Sequence, residues 1–243
     1  MAATRWDKAQ EYEKAYWKGV AEKIAAGAGN RLSWYRNNAA KYKSLILPHL
    51  RRPAEAVDKV VEVGSGPIGL ATFFDLGRRY AVDPLADFYA QYETLSDLRD
   101  PAVGYVATQG EKLPFGDAEA DIVLIENVLD HTQRPDLVME EIRRVLRPDG
   151  VLFFKVNIRT PLGTAIHRVL SKTNIDKGHP HSYSHGKIRR TLESHGFEIR
   201  WEHVDDHPTA RRADWNSKRW KDRAKAILGI SEFWYTAVCW KRA

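Results

Sequence analysis

Residues 60–69 constrain the fold more than any other stretch, because VVEVGSGPIG joins a β-branched strand to glycines spaced G-x-G-x-x-G. Glycine adopts positive φ and lets a ligand approach the backbone closely, so the spacing predicts a tight strand-to-helix turn. Asp83 lies 19 residues beyond Gly64, where the dinucleotide-binding fingerprint also has an acidic residue. The stretch therefore predicts a parallel α/β sheet that binds a ligand at this turn.

Strand-like and helical patterns alternate from residue 58 onwards. The apolar strand runs are 59–63, 79–83, 104–108, 121–125 and 151–156. Near-continuous apolar strands indicate a parallel sheet that is buried on both faces. Two later runs, 197–204 and 232–240, predict an antiparallel hairpin that protects the sheet edge. We expect an α/β fold with a Rossmann-like, doubly wound, mainly parallel seven-stranded sheet, an antiparallel last strand and an N-terminal helical cap.

The chain divides into two regions by its patterns. Residues 1–57 are predicted to form the helical cap, since aromatic residues recur at three- and four-residue spacing. Residues 58–243 are predicted to form the ligand-binding domain, with substrate-specific insertions at about 159–185 and 205–230. We expect the first insertion to be irregular, the end of the chain to be poor in helix, and RPDG at 147–150 to be a turn or a boundary between elements.

Composition excludes several classes of protein. A hydrophobic content of 43% with 29% charged residues is typical of a globular chain. The single cysteine, Cys239, permits no internal disulfide. Neither a secretion signal nor a long apolar run is visible, so a cytoplasmic protein without a transmembrane segment is predicted. Net charge is 38 minus 32, or +6, and residues 211–226 contribute seven basic and two acidic side chains.

Glu62 distinguishes between possible ligands of the glycine turn. A pyrophosphate at the amino terminus of the following helix would be repelled by this carboxylate. A ligand that carries an ammonium group and a ribose, but no phosphate, suits both Glu62 and Asp83 better. S-adenosylmethionine is such a ligand.

Four ordered motifs carry a family resemblance over about residues 58–157. They are EVGSGPIG, AVDP, GEKLPFGDAEADIVLIENVLDHT and RRVLRPDGVLFFKV. In this order they resemble the motifs of the class I S-adenosylmethionine-dependent methyltransferases. The resemblance implies S-adenosylmethionine as cofactor, with Asp83 on the ribose hydroxyls. The implied cofactor-binding residues are Glu62, Gly64, Ser65, Gly66, Asp83, Pro84, Gln109, Gly110, Glu111, Glu126 and Asn127. The sequence departs from the family's common Asp-Ala-Glu pattern at Gln109–Glu111.

Three histidines are candidate catalytic residues. His131 follows the fourth strand, where the family places residues beside the substrate. His179 and His181 lie in the loop KGHPHSYSHG. A hydroxyl acceptor needs a general base and an amine largely does not, and histidine has a suitable pKa for that task. A structural role for each histidine is the alternative. No metal site is expected, because no carboxylate cluster accompanies the histidines.

The predicted function is methyl transfer to an oxygen of a small metabolite, such as a sugar or secondary metabolite. An RNA methyltransferase that uses the basic carboxyl-terminal third is the first alternative, and nucleic acid is a less favoured partner. A non-catalytic module that retains the cofactor site is the second. The acceptor and the oligomeric state are left open.

Overall fold

Seven strands form one mixed sheet in the computed structural model, which describes residues 5–170 and 181–242. The strand order is β3-β2-β1-β4-β5-β7-β6. Strands β1 to β5 are parallel to one another, and β7 is antiparallel to both β5 and β6. The strands are β1 Lys59–Val63, β2 Arg78–Val82, β3 Val103–Val106, β4 Ala120–Glu126, β5 Leu146–Ile158, β6 Phe197–Val204 and β7 Phe233–Lys241.

Helices cover both faces of the sheet. The α-helices in the described residues are α1 Arg5–Ala25, α2 Leu32–Ile46, α3 Ala86–Ala90, α4 Glu93–Ser96, α5 Pro135–Val145, α6 Pro161–Leu170, α7 His185–Ser194, α8 His207–Trp215 and α9 Trp220–Leu228. Successive side chains of a strand point to opposite faces. Val60 accordingly packs in the hydrophobic cluster that contains α2, and Val61 in the cluster that contains α5 and α7. The doubly wound architecture predicted from the apolar strands is thereby confirmed.

The amino-terminal helices share the core of the sheet. Helix α2 buries Tyr35, Ala39, Tyr42 and Ile46, whose spacing places them on one helical face. These side chains pack with the inward residues of β1, β4 and β5 in one cluster. The helices at 5–46 exist as predicted, and the domain division at residue 57 stays a proposal.

The carboxyl-terminal part differs from the sequence-based expectation in two segments. Residues 159–185 were expected to be irregular, but 161–170 form α6, and 171–180 lie outside the described residues. The end of the chain is not poor in helix, since α8 and α9 occupy most of 205–230. Polar and charged residues mask the periodicity of α8 and α9, because neither helix buries a full apolar face.

The predicted late hairpin is present, with the last strand inside the sheet. Strand β7 inserts between β5 and β6, which leaves β6 at the edge. RPDG at 147–150 belongs to β5, where a register shift separates the Ala120–Leu146 pair from the Ile122–Val151 pair. The expected turn is thus an irregular part of the strand. None of the described helices carries an apolar stretch sufficient to cross a lipid bilayer.

Candidate functional site

A cavity of about 520 Å³ lies at the carboxyl ends of the parallel strands. Every cofactor-binding residue predicted from the sequence lines it: Glu62, Gly64, Ser65, Gly66, Asp83, Pro84, Gln109, Gly110, Glu111, Glu126 and Asn127. Helices α1 and α2 add aromatic walls. The aromatic residues from these helices are Trp6, Trp17, Trp34 and Tyr35. The carboxyl edge of a parallel sheet is where such folds bind ligands, because the loops there diverge and leave a crevice.

The glycine turn is held by the two buried acids that flank it. Glu62, which is 3% exposed, accepts a hydrogen bond from the Ala71 backbone N–H at 2.8 Å. Asp83 accepts from the Gly66 backbone N–H at 2.9 Å and from the Leu85 N–H at 2.8 Å. Asp83 therefore fixes the turn after β1 to the turn after β2 and faces the cavity from between them.

The missing Cβ of Gly69 lets Glu62 approach the backbone. Gly69 has φ +81°, and a Cβ there would lie 2.8 Å from Oε2 of Glu62. At Gly66, with φ +62°, a Cβ would point toward Trp17 and Tyr35, the aromatic wall, at 3.7 and 3.8 Å. The glycine spacing in the sequence predicted this turn. The structure shows that Glu62 lies where a side chain at residue 69 would be, and that Trp17 and Tyr35 lie beside residue 66.

The cavity is acidic although the chain as a whole carries a charge of +6. Its acidic lining residues are Glu13, Glu62, Asp83, Glu111 and Glu126. Arg31 is the one lysine or arginine among the described lining residues. Burial is the main cause that raises the pKa of Glu62 from 4.5 to about 8, and that of Asp83 from 3.8 to about 6. Burial disfavours the charged form of these carboxyls, and a neighbouring cation favours it, so the site fits S-adenosylmethionine, which carries an ammonium and a sulfonium, better than it fits a diphosphate.

Residues 109–111 form the wall beside the ends of β1 and β2. The Glu111 carboxylate accepts hydrogen bonds from the Gln133 and Arg134 backbone N–H groups at 2.9 and 3.0 Å. Its negative charge thereby stabilises the chain just before α5. Gly110 packs closely, since a Cβ there would lie 3.0 Å from Cγ1 of Val63. Within residues 109–111, the side chain of Gln109 and the backbone of Gly110 are therefore available to contact an adenine.

Glu126, at the end of β4, is part of a polar cluster in the cavity wall. Its Oε1 accepts from the Tyr42 hydroxyl at 2.5 Å and from Lys155 Nζ at 2.7 Å. Lys155 Nζ also lies 4.2 Å from the ring centroid of Trp234. Because of these contacts, the negative charge of Glu126 is compensated locally. The pair with Lys155 also orients the end of β5 next to the cavity.

Asn127 follows Glu126 in the left-handed conformation, with φ +55°. Asparagine tolerates this conformation better than other residues with a Cβ. Its backbone N–H bonds to the Lys155 carbonyl at 2.8 Å, and its Oδ1 accepts from Asn157 Nδ2 at 2.7 Å. The chain therefore turns sharply from β4 into the cavity wall that carries residues 127–132.

The three candidate histidines are placed differently. His131 lines the cavity, and its Nε2 lies 3.8 Å from Oδ2 of Asp130. His181 is not among the lining residues, because its Nε2 is hydrogen-bonded to the Thr132 carbonyl at 3.0 Å. Burial is the main cause that lowers the pKa of His181. His179 lies outside the described residues. Of the two described candidates, the structure brings His131 to the cavity.

Several lining residues were not identified from the sequence. Arg31 stands at the start of α2, and its guanidinium lies 5.6 Å from the Trp17 ring centroid. Glu13 accepts from Trp17 Nε1 at 2.8 Å. Trp234, at the start of β7, closes the opposite wall. No local motif marks these residues, since they meet only when α1, α2 and β7 pack around the strand ends. Among the described residues no group of three or more potential metal ligands occurs.

Comparison with known proteins identifies the central part of the chain. Residues 61–154 match a family described as methyltransferase domain. An uncharacterised methyltransferase of Mycobacteroides abscessus is 34% identical over 102 residues, which are 41% of this chain and 39% of that protein. The human thiol S-methyltransferase TMT1B is 34% identical over 110 residues, 43% of this chain and 45% of that one. The match thus spans less than half the length of either relative.

A solved structure shows the same fold over a larger part of the chain. Phosphoethanolamine N-methyltransferase 2 of Haemonchus contortus, solved with phosphomonomethylethanolamine and S-adenosylhomocysteine, aligns with a TM-score of 0.60 and 15% identity. The alignment covers 84% of this chain and 53% of that one. The domain match at 61–154, together with the ordered motifs and the strand order, supports a class I S-adenosylmethionine-dependent methyltransferase domain in the central part of the chain, with S-adenosylmethionine as its cofactor.

Proposed function

We propose that this protein transfers the methyl group of S-adenosylmethionine to an oxygen of a small metabolite, such as a sugar or a secondary metabolite. The acidic cavity carries the proposal, because its glycine turn would hold the cofactor and its aromatic walls would hold an acceptor in the same cleft. Its volume of about 520 Å³ lies within the range of small-molecule sites. Aromatic walls from α1, α2 and β7 suit the flat or sugar-like faces of such an acceptor.

The proposed contacts of the cofactor follow from the position of each charge. Asp83 would accept hydrogen bonds from the ribose hydroxyls, and Glu62 would face the ammonium group. Arg31, as the cation in the lining, is suited to the cofactor's carboxylate. Gln109 offers an amide oxygen to the adenine amino group, where the family commonly has an aspartate.

The protein's own part in the reaction is alignment, exclusion of water and removal of a proton. S-adenosylmethionine supplies an activated methyl group on its sulfonium. The aromatic walls would hold the acceptor hydroxyl in line and keep water out. His131 would accept the hydroxyl proton on a ring nitrogen, with Asp130 beside it to stabilise the imidazolium that forms.

Glu62 links cofactor binding to pH. In the ligand-free protein the pKa of this carboxyl is about 8, so it keeps its proton at lower pH. A cation beside it lowers that pKa. Binding should therefore release a proton at neutral pH, and affinity should rise with pH up to about 8. Glu62→Gln keeps an acceptor for the Ala71 N–H but removes the charge, so we expect at least about tenfold weaker binding at pH 8. Calorimetry in buffers of different ionisation enthalpy measures both affinity and proton release.

Stability of the ligand-free protein should change in the opposite sense. The pKa of Glu62 is higher in the folded than in the unfolded chain, so stability falls as pH rises from about 4.5 to about 8. Glu62→Gln should abolish that loss and raise the melting temperature at pH 8. Glu55→Gln, at an exposed position, makes the same charge change and is the control. Equal effects of both substitutions, or none, would contradict the role given to Glu62.

The acceptor class is tested with S-adenosylmethionine that carries a labelled methyl group. A panel of sugars, phenols, thiols and amines is incubated with the protein, and we expect label on the hydroxyl compounds. Label confined to thiols or amines would overturn transfer to oxygen. Cofactor that binds without turnover on any member of the panel would favour the non-catalytic alternative. Absence of cofactor binding would overturn the whole proposal.

An RNA substrate is the second candidate, favoured by the exposed basic helices α8 and α9. This alternative requires affinity for RNA that falls steeply with salt, because neutralised phosphates release counterions. Filter binding at several salt concentrations measures it. The cytoplasm stays the predicted compartment for either substrate.

A further inference from the structure

Two neighbouring helices expose apolar side chains to solvent at the carboxyl edge of the sheet. Helix α6 exposes Leu162 and Val169, seven residues apart, with 70% and 66% of their surface accessible. Helix α9 exposes Trp220, Ile227 and Leu228 at the same helical spacing, with 74%, 65% and 47% accessible. Residues at i, i+7 and i+8 share one helical face. Each helix therefore presents an apolar stripe outward.

The start of α6 contacts the end of α9. A Cβ on Gly163 of α6 would lie 2.8 Å from the carbonyl oxygen of Gly229, which ends α9. Leu162 and Leu228 are the chain neighbours of these two contacting glycines. We call the five side chains Leu162, Val169, Trp220, Ile227 and Leu228 the α6–α9 surface. Large apolar side chains that are exposed on two contacting helices of a folded domain indicate an interaction site.

Basic side chains border the α6–α9 surface. Lys218, Arg219, Lys221 and Arg223 are exposed in and just before α9. Arg211 of α8 is exposed and its Nε donates to the Ala226 carbonyl at 2.8 Å, which ties α8 to α9. Asp222 of α9 is acidic, and its carboxylate contacts the Arg219 guanidinium and the Ser217 hydroxyl. Apolar side chains within a cationic border complement a surface that is both hydrophobic and anionic.

The surface also lies at the same edge as the cavity. Helix α6 follows the end of β5, and the α8–α9 segment leads directly into β7, whose Trp234 lines the cavity. From these observations we propose that the α6–α9 surface docks the protein on an anionic phospholipid bilayer. This inference goes beyond the proposed methyl transfer and does not depend on it. The aliphatic side chains favour a bilayer over RNA, because base stacking uses aromatic faces and leaves leucine and isoleucine in water.

Vesicle co-sedimentation tests the docking. The purified full chain is mixed with vesicles of phosphatidylcholine alone or with added phosphatidylglycerol. We expect binding to the anionic vesicles only. Ile227→Asp should reduce it at least about tenfold, since it places a charge in the apolar stripe. The double substitution Lys218→Glu with Lys221→Glu should reduce it roughly as much by removing the electrostatic attraction.

Matched controls separate docking from general charge effects and from misfolding. Lys18→Glu reverses a charge at an exposed position of α1 and should leave vesicle binding unchanged. All variants change exposed side chains, so their melting temperatures and cofactor affinities should equal those of the wild type. Binding lost with the lysines but unaffected by Ile227→Asp would overturn the proposal in favour of a polyanion such as RNA. Failure to bind anionic vesicles, or a concentration-dependent dimer abolished by Ile227→Asp, would also overturn it.

Discussion

Gly64→Ala is expected to destabilise the fold by about 2 to 5 kcal/mol and to weaken cofactor binding with it. Gly64 has φ +73°, a conformation that costs alanine free energy. An added Cβ would also lie 2.2 Å from Cγ2 of Val128, closer than any real contact. Val128 lines the cavity, so relief of the overlap must move the cavity wall. Urea unfolding and calorimetry with S-adenosylmethionine measure the two losses.

The double variant Gly64→Ala with Val128→Ala divides the effect into its two causes. Removal of the Val128 γ-carbons relieves the overlap and leaves the backbone strain, so only part of the stability should return. Gly19→Ala, within α1, is the control because nothing lies within 4 Å of its added Cβ. It should stabilise the protein by about 0.5 to 1 kcal/mol. A Gly64→Ala variant as stable as the wild type would show that the turn relaxes freely.

His131→Ala is expected to lower kcat for a hydroxyl acceptor about 10² to 10⁴-fold while the affinity for S-adenosylmethionine stays unchanged. His131 lines the cavity beside Asp130, where it would accept the acceptor's proton. Added imidazole should restore part of the rate, because the small base can occupy the vacated space. A residue that acts only through the position of its neighbours would not be replaced by imidazole. Steady-state kinetics with and without imidazole distinguishes the two roles.

His181→Ala provides the comparison within the same part of the chain. Its ring bonds to the Thr132 carbonyl and does not line the cavity. We expect a loss of stability, a small change in kcat and no rescue by imidazole. Rescue of the His181 variant but not the His131 variant would reverse the assignment of the base.

The cofactor half of the site was predictable because it is built from short segments of the chain. Glu62 to Gly69 combine a strand, a turn and their acidic residue within one motif, and Asp83 follows at a fixed interval. Parallel strands bring the loops at their carboxyl ends together whatever the surrounding sequence is. The eleven predicted residues therefore meet around one cavity.

The other walls of the cavity were less predictable because their residues come from distant segments. Arg31, Glu13 and Trp234 carry no motif, and they meet only through the packing of α1, α2 and β7. The same limit applies to α8 and α9, whose apolar residues face outward. Amphipathic periodicity predicts helices that cover a core, and these two helices have only one buried residue between them, Ala226.

The sequence by itself determined the sheet, the glycine turn and the position of the two buried acids, because strand periodicity and positive φ are local properties of the chain. Only the tertiary structure decided that the cavity is lined by acids inside a basic protein, that Glu126 is paired with Lys155, and that His131 rather than His181 lines the cavity. The reason is that burial and charge pairing depend on which distant residues share a space, and no local pattern records that distance.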